Sequence, residues 1–243
     1  MDKTAKIKQA AKKLRLPTVR NDYTSLVEKA NKEGMEYEKF IIELLQRECR
    51  QRSLNKIDRL IERADFPYIK YLEDIEVDKL PRDCMANFGK LQSLNFISEN
   101  KNVIFAGSPG TGKSHMAIGL GIEACRAEYK VYYCRIAKLV RESKTELGLE
   151  KLNEKFSKYD LIICDEIGYT SLDNKEAELL FELLSLRTNK TTIIITNLSF
   201  DMWDSLFENK ITAITLIDRI TYNAHILDMN GPSYRNKKTV KNE

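Results

Sequence analysis

Residues 103–114 read Val-Ile-Phe-Ala-Gly-Ser-Pro-Gly-Thr-Gly-Lys-Ser, an apolar run that breaks into glycines and ends in Lys-Ser. Gly107, Gly112, Lys113 and Ser114 fill the four fixed positions of the pattern G-x-x-x-x-G-K-[ST]. That pattern requires a buried strand before it and a helix after it, and both are predicted here. Glycines let backbone N–H groups close around phosphate oxygens, and the following helix adds its unpaired N-terminal N–H groups. The stretch therefore predicts a phosphate-binding loop.

The two side chains that end this loop have separate predicted roles. Lys113 would reach the β- and γ-phosphates of a nucleotide, and the Ser114 hydroxyl would ligate Mg²⁺. ATP and Mg²⁺ are therefore the expected cofactors. The predicted nucleotide-binding residues are Gly107, Ser108, Pro109, Gly110, Thr111, Gly112, Lys113, Ser114 and His115.

A second signal follows the apolar run 161–164, where the chain continues Asp165-Glu166. Asp165 would hold the Mg²⁺ shell through water, while Glu166 would orient and deprotonate the attacking water. The alternative is a helix N-cap with an acidic first turn. Because both carboxylates are present beside a phosphate loop, hydrolysis is favoured over passive nucleotide binding.

Two further polar residues are candidates for catalysis. Asn197 follows a predicted strand and would hold the lytic water, although it could instead cap the next turn. Arg219 lies late on the last predicted helix. It could pair with Asp218 or Asp228 in its own subunit, or it could act on a neighbouring subunit's γ-phosphate as an arginine finger.

The chain alternates between strands and helices after residue 83. The predicted strands are 103–106, 131–134, 161–164, 192–196 and 224–229, and the predicted helices are 84–96, 113–126, 137–147, 151–158, 174–188 and 211–222. Continuous apolar strands separated by helices indicate an α/β fold with a parallel sheet covered on both faces. Ligands bind such sheets at the carboxyl ends of the strands, where the phosphate loop falls.

Residues 1–66 are predicted to form a separate all-helical domain, and residues 67–243 the α/β domain. Helical patterns end near residue 16, span 23–32 and span 37–61, with breaks at Pro17 and Gly34. The first twenty residues hold seven Lys or Arg against Asp2 alone, a net charge of +6 in a chain of +4. Such a basic arm suits contact with a DNA backbone, although a solvated helix end is the alternative. The helices could equally dock on a protein partner.

Composition excludes several classes of protein. The sequence has no apolar run of about 18 residues and no signal-peptide core, so no membrane association is expected. Its five cysteines lack C-x-x-C spacing and only two histidines are available, so we expect neither a zinc site nor a disulfide framework. These features fit a reducing, cytoplasmic location.

The motifs together resemble those of the AAA+ ATPases, and within them the IstB-type transposition helpers and the related DnaC-type helicase loaders. The resemblance covers nearly the whole chain, and it is carried by residues 14–20, 34–40, 64–68, 107–114, 161–169, 195–198, 216–219 and 231–235. The N-terminal segments and the run Asp165-Glu-Ile-Gly-Tyr169 are similar to the IstB pattern in particular.

The resemblance implies a five-stranded sheet in which the strand before Asn197 lies between the first and third strands. It also implies an ATP-dependent homo-oligomer on double-stranded DNA that selects target sites and stimulates a partner transposase. Lys113 and Ser114 would be the Walker A residues, Asp165 and Glu166 Walker B, Asn197 sensor 1 and Arg219 the arginine acting in trans. Few residues follow Met229, so no full C-terminal lid is expected and Arg235 is a doubtful sensor 2. The alternative function is a helicase loader that contacts a replicative helicase.

Overall fold

The computed structural model describes residues 2–167, 173–198 and 210–234, and of residues 210–213 the backbone alone. It forms two compact units, Met1–Arg59 and Leu60–Glu243. The division falls seven residues before the boundary expected at residue 66. Gly168, Tyr169 and Arg235, which contribute to the family resemblance, lie outside the described residues.

The N-terminal unit is built from three helices: α1 (Lys3–Lys13), α2 (Pro17–Glu33) and the first part of α3 (Tyr37–Arg63). α2 begins six residues earlier than predicted, because Pro17 is its first residue and not a break inside a loop. The fixed φ of proline suits the first helical position, where no N–H partner is required. Gly34 ends α2 in the left-handed conformation, as predicted.

Glu48 is a buried carboxylate on α3, with 3% of its surface exposed. Its Oε2 accepts hydrogen bonds from the backbone N–H groups of Thr18 and Val19, at the start of α2, at 2.9 and 3.2 Å. Arg52 Nε donates to its Oε1 at 3.1 Å. Burial alone raises the pKa of Glu48, but these bonds outweigh it and the pKa is lowered. Glu48 therefore fastens α3 to the N-terminus of α2 as an anion.

The second unit has an α/β architecture, and its connector, residues 64–81, contains two short 3₁₀ turns. Its strands are β1 (Asn102–Ala106), β2 (Val131–Arg135), β3 (Leu161–Ile167), β4 (Thr191–Thr196) and β5 (Ala224–Asp228). Its helices are α4 (Arg82–Gln92), α5 (Asn95–Ser98), α6 (Lys113–Arg126), α7 (Ile136–Ser143), α8 (Glu146–Lys158), α9 (Asn174–Ser185) and α10 (Lys210–Thr221). The helix predicted at 84–96 is divided because Leu94 takes a positive φ of 59°. Within the described ranges, the helices are all too short or too polar to span a lipid bilayer.

The five strands form one parallel sheet in the order β2-β3-β4-β1-β5. The predicted insertion of β4 between β1 and β3 is confirmed. Val103 and Phe105 of β1 face one buried cluster, formed with α4, α5 and α6. Ile104 and Ala106 face a second cluster, formed with α7, α8, α9 and α10. Both faces of the sheet are thus covered, which explains why the strands read as continuous apolar runs.

Arg187 is a buried residue that links several segments of this unit by hydrogen bonds. It is 4% exposed and donates hydrogen bonds to the carbonyl oxygens of Phe156, Tyr159, Asp160 and Thr191. It joins the end of α8 to the start of β4, and supplies a positive charge where helix carbonyls lack partners.

Candidate nucleotide-binding site

The predicted phosphate loop connects β1 to α6 at the carboxyl edge of the sheet. Gly107 has φ 143°, and a Cβ there would lie 2.6 Å from the backbone nitrogen of Asn230. Gly112 has φ 97° and is the N-cap of α6. Glycine is required at both positions, at the first by the close approach of backbone and at both by the left-handed conformation. The sequence pattern therefore reflects two steric demands of this turn.

Lys113 lies inside the loop, with 5% of its surface exposed. Its Nζ donates to the carbonyl oxygens of Gly107 at 2.7 Å and Ser108 at 2.6 Å. The ammonium group is thus held by loop oxygens within the turn. A phosphate oxygen could replace either contact with a stronger, charge-assisted one.

Ser114 and Asp165 meet beside the loop, from α6 and β3. The Ser114 hydroxyl donates to Asp165 Oδ2 at 3.0 Å, and Asp165 is 6% exposed. A hydroxyl and one carboxylate are the hard oxygen ligands that Mg²⁺ uses together with phosphate and water. Across the ranges that the structure describes, no cluster of three or more His, Cys, Asp or Glu is placed to hold a metal. One hydroxyl and one carboxylate at this position suit Mg²⁺ that is bound together with a nucleotide.

Glu166 occupies a strained position at the end of β3. Its φ is 67°, which is uncommon for a residue with a side chain. The pairing with β4 slips here: Cys164 pairs with Ile194, and Ile167 with Thr196. The strand therefore extends three residues beyond the predicted end at Cys164, through a bulge. Bulges and left-handed residues are enriched near active sites because they redirect a side chain.

Two residues of β2 that sequence reasoning missed contact the acidic pair. The Tyr133 hydroxyl donates to Asp165 Oδ2 at 2.6 Å. Arg135 Nε lies 3.6 Å from Glu166 Oε1. Burial, and next the Asp165 carboxylate, raise the pKa of Tyr133, so the phenol remains a proton donor. No sequence motif marks these two residues, because they reach the site through the pairing of β2 with β3, which places Arg135 opposite Asp165.

Asn197 and Arg219 lie in different surroundings. Asn197 is exposed directly after β4, whose last residue Thr196 pairs with Ile167, so it shares the carboxyl edge with Glu166. Arg219 is exposed on α10, stacks 4.6 Å from the Phe181 ring centroid and donates to the Ser185 hydroxyl. Among the described residues, neither Asp218 nor Asp228 pairs with Arg219.

His115, the last predicted nucleotide contact, directs its imidazole to the connector. Its Nε2 lies 2.9 Å from the carbonyl oxygen of Tyr71. A nucleotide contact from His115 would therefore come from its backbone N–H, at the start of α6.

A cavity of about 610 Å³ opens beside the loop. It is lined by residues 78–83, by Thr111 and by residues from the stretch 228–234. That stretch is tied to the loop, because the N–H of Tyr234 donates to Gly110 O at 2.8 Å and the N–H of Ser108 to Asn230 Oδ1 at 3.0 Å. The cavity has the volume of a small-molecule site.

The sheet order, the phosphate loop and the acidic end of β3 define a P-loop protein of the AAA+ class. A solved structure of DnaI shares this fold, with a TM-score of 0.55 over 68% of this chain and 89% of that chain at 20% identity. The chain belongs to the IstB-like ATP-binding protein family, whose model matches residues 9–242.

Two relatives from insertion sequences are similar over most of their length. A protein of insertion sequence IS5376 from Geobacillus stearothermophilus, named for ATP binding, is 31% identical over 95% of this chain and 93% of its own. A protein of IS21 from Pseudomonas aeruginosa, also named for ATP binding, is 33% identical over 89% of this chain and 83% of its own. The predicted family is confirmed.

Proposed function

We propose that this protein is a Mg²⁺-dependent ATPase that assembles on duplex DNA and assists a partner transposase. The observation that carries the proposal is the contact between Ser114 and Asp165 beside the buried ammonium group of Lys113. In an ATP-binding family, these three residues supply the ammonium group, the hydroxyl and the carboxylate that bind a triphosphate and its Mg²⁺ ion.

In this proposal the loop residues bind the nucleotide, and the acidic pair Asp165 and Glu166 serves metal binding and hydrolysis. Lys113 and the loop N–H groups would hold the β- and γ-phosphates, while Ser114 and, through water, Asp165 would hold Mg²⁺. The bound metal ion would neutralise charge that develops on the phosphates. Glu166 takes the proton of the attacking water, and Asn197 orients that water from the neighbouring strand. The nucleoside occupies the cavity between the connector and the stretch 228–234.

ATP hydrolysis is expected to fail when either Lys113 of the phosphate loop or Glu166 of the acidic pair is replaced. Lys113→Ala should abolish measurable ATP affinity, and Glu166→Gln should retain affinity while lowering turnover by about 100-fold or more. Lys144→Ala, at an exposed lysine, is the matched control and should behave as wild type. Equilibrium ATP binding with and without Mg²⁺, followed by phosphate release, tests this. Wild-type protein without Mg²⁺-dependent ATP affinity, or intact affinity in Lys113→Ala, overturns the proposal.

The N-terminal unit is the proposed DNA-binding part of the protein. Lys6, Lys8, Lys12 and Lys13 of α1 are exposed, and the only carboxylate of the first twenty residues is Asp2. Lysines that contact backbone phosphates release counterions, so binding weakens as salt rises. A transposase is the favoured partner because the named relatives belong to insertion sequences. For a protein that acts on DNA we propose a cytoplasmic location.

Duplex binding measured with ATP and with ADP at several salt concentrations tests the DNA role. We expect tighter binding with ATP, and a salt dependence that becomes shallower in Lys12→Glu/Lys13→Glu but not in Lys144→Glu. Nucleotide-insensitive or absent duplex binding contradicts the transposition role. A stable complex with a replicative helicase, formed without DNA, would support the helicase-loader alternative instead.

A further inference from the structure

Tyr133 is a buried tyrosine whose hydroxyl points at the candidate metal site. It is 4% exposed and donates to Asp165 Oδ2 at 2.6 Å, and the same oxygen accepts the Ser114 hydroxyl at 3.0 Å. The other carboxylate oxygen, Oδ1, accepts the backbone N–H of Glu166 at 2.7 Å. Three donors from three parts of the chain therefore fix the rotation of one carboxylate.

The Tyr133 side chain is itself held firmly. Its backbone N–H donates to the carbonyl oxygen of Ala64 at 2.7 Å. Its ring centroid lies 6.3 Å from that of Phe66, with the ring planes tilted by 59°. A Cβ on Gly121 of α6 would lie 2.9 Å from the Phe66 ring, so the Phe66 ring packs directly on α6. The Tyr133 ring, on β2, is thus packed against the connector.

We propose that Tyr133 is a positioning residue, which orients the Asp165 carboxylate for the Mg²⁺ that accompanies ATP. The proposal rests on the Mg²⁺-ATPase function proposed above. Carboxylates at metal sites are commonly oriented by further hydrogen bonds, and loss of such a bond costs about 10- to 100-fold in metal affinity or activity. Removing the Tyr133 hydroxyl takes away one of the three hydrogen bonds that fix the Asp165 carboxylate, so the carboxylate is held less firmly, while the loop that binds phosphate is untouched.

Tyr132 provides a matched control on the same strand. It is 1% exposed, but its side chain lies in the cluster on the opposite face of the sheet. Its hydroxyl accepts from Lys155 Nζ at 3.2 Å. Tyr132→Phe therefore removes an equally buried hydroxyl without touching Asp165.

The experiment compares Tyr133→Phe and Tyr132→Phe in the full chain, by equilibrium binding of a fluorescent ATP analogue in EDTA and across a Mg²⁺ titration. For Tyr133→Phe we expect unchanged affinity in EDTA and about tenfold more Mg²⁺ for half-saturation. Turnover should recover substantially at high Mg²⁺, and Tyr132→Phe should match wild type. In an Asp165→Asn background, Tyr133→Phe should have no further effect, because the carboxylate that it orients is gone.

Three results overturn the inference: an unchanged Mg²⁺ requirement in Tyr133→Phe, an equal loss of affinity with and without Mg²⁺, or an equal effect of Tyr132→Phe. The last two would show that the hydroxyl serves stability alone. Failure of the underlying function is distinguishable, since wild-type protein would then show no Mg²⁺-dependent ATP binding.

Discussion

The Ser114 hydroxyl donates a 3.0 Å hydrogen bond to Asp165, although 51 residues separate the two in the chain. The contact joins the first turn of α6 to the end of β3. Because β1, β4 and β3 are parallel, the phosphate loop after β1 and the acidic pair at the end of β3 lie at the same edge of the sheet. β4 separates the two strands.

Arg219 is expected to complete the site of a neighbouring subunit. It lies exposed on α10 against Phe181 and Ser185, so it is available to a second copy. Arg219→Ala should lower turnover by at least about tenfold, given the size of arginine-finger effects. Mixing Arg219→Ala with Glu166→Gln protein should raise turnover above either parent, because one subunit supplies the base and the other the arginine. A mixture no more active than its components would show that Arg219 does not act in trans.

Arg135 is expected to restrain Glu166, the proposed catalytic base. Its guanidinium lies 3.6 Å from Glu166 and both side chains are nearly half exposed, so the pair is worth no more than about 1 kcal/mol. Arg135→Ala should therefore raise basal turnover by no more than about fivefold, since Glu166 is released toward water. Arg135→Lys should stay near wild type, and Arg141→Ala, at an exposed arginine of α7, serves as control. Lower turnover in Arg135→Ala would show that the pair assists the base.

Glu48 makes the stability of the N-terminal unit depend on pH. Its pKa in the folded unit lies below the ordinary value of 4.5, so its contribution is present above about pH 4.5 and is lost as the pH falls further through the folded pKa. Glu48→Gln should weaken protection of α2 at pH 7 by about 1–3 kcal/mol. The difference from wild type should shrink as the pH falls below 4.5 and through the lowered pKa of Glu48. Hydrogen exchange of α2, corrected for intrinsic rates, measures this.

The control for that measurement is Glu43→Gln on the same helix. Glu43 pairs with Arg47 at 2.8 Å and with Lys29 of α2 at 3.2 Å, but these pairs are partly exposed to water and should contribute little. A difference between wild type and Glu48→Gln that persists unchanged at low pH would contradict the assignment of the charge to Glu48.

Arg187 is expected to be essential for the stability of the second unit. Arg187→Met removes one buried cation and leaves several carbonyl oxygens without donors, which should cost about 3 kcal/mol or more. Lys190→Met is a suitable comparison, because Lys190 donates to the nearby carbonyls of Ser157 and Tyr159 from the surface and should cost about 1 kcal/mol or less. Denaturant unfolding compares the two. Similar losses would show that burial of Arg187 is not the decisive factor.

Local features of the chain were predictable where one short segment carries the whole physical demand. The phosphate loop needs glycine at Gly107 and Gly112 for steric reasons, so its pattern is visible in the sequence. The limits of the helices and strands were predicted less accurately. α2 begins earlier because Pro17 fits the first helical turn, and β3 runs to Ile167 because a bulge carries Asp165 and Glu166 within the strand. Neither effect changes the apolar pattern from which the limits were predicted.

The sequence by itself determined the α/β class and the identity of the loop, since apolar periodicity and glycine placement act over a few residues. It indicated the family through the resemblance of its motifs. Only the tertiary structure decided which side chains surround Asp165, because Tyr133 and Arg135 reach the site through strand pairing and carry no local motif. The same holds for the cavity, which residues 78–83 form with a stretch about 150 positions later, and for Arg187, whose carbonyl partners belong to separate elements. Contacts between distant segments depend on how the elements pack, and packing is settled by the whole chain.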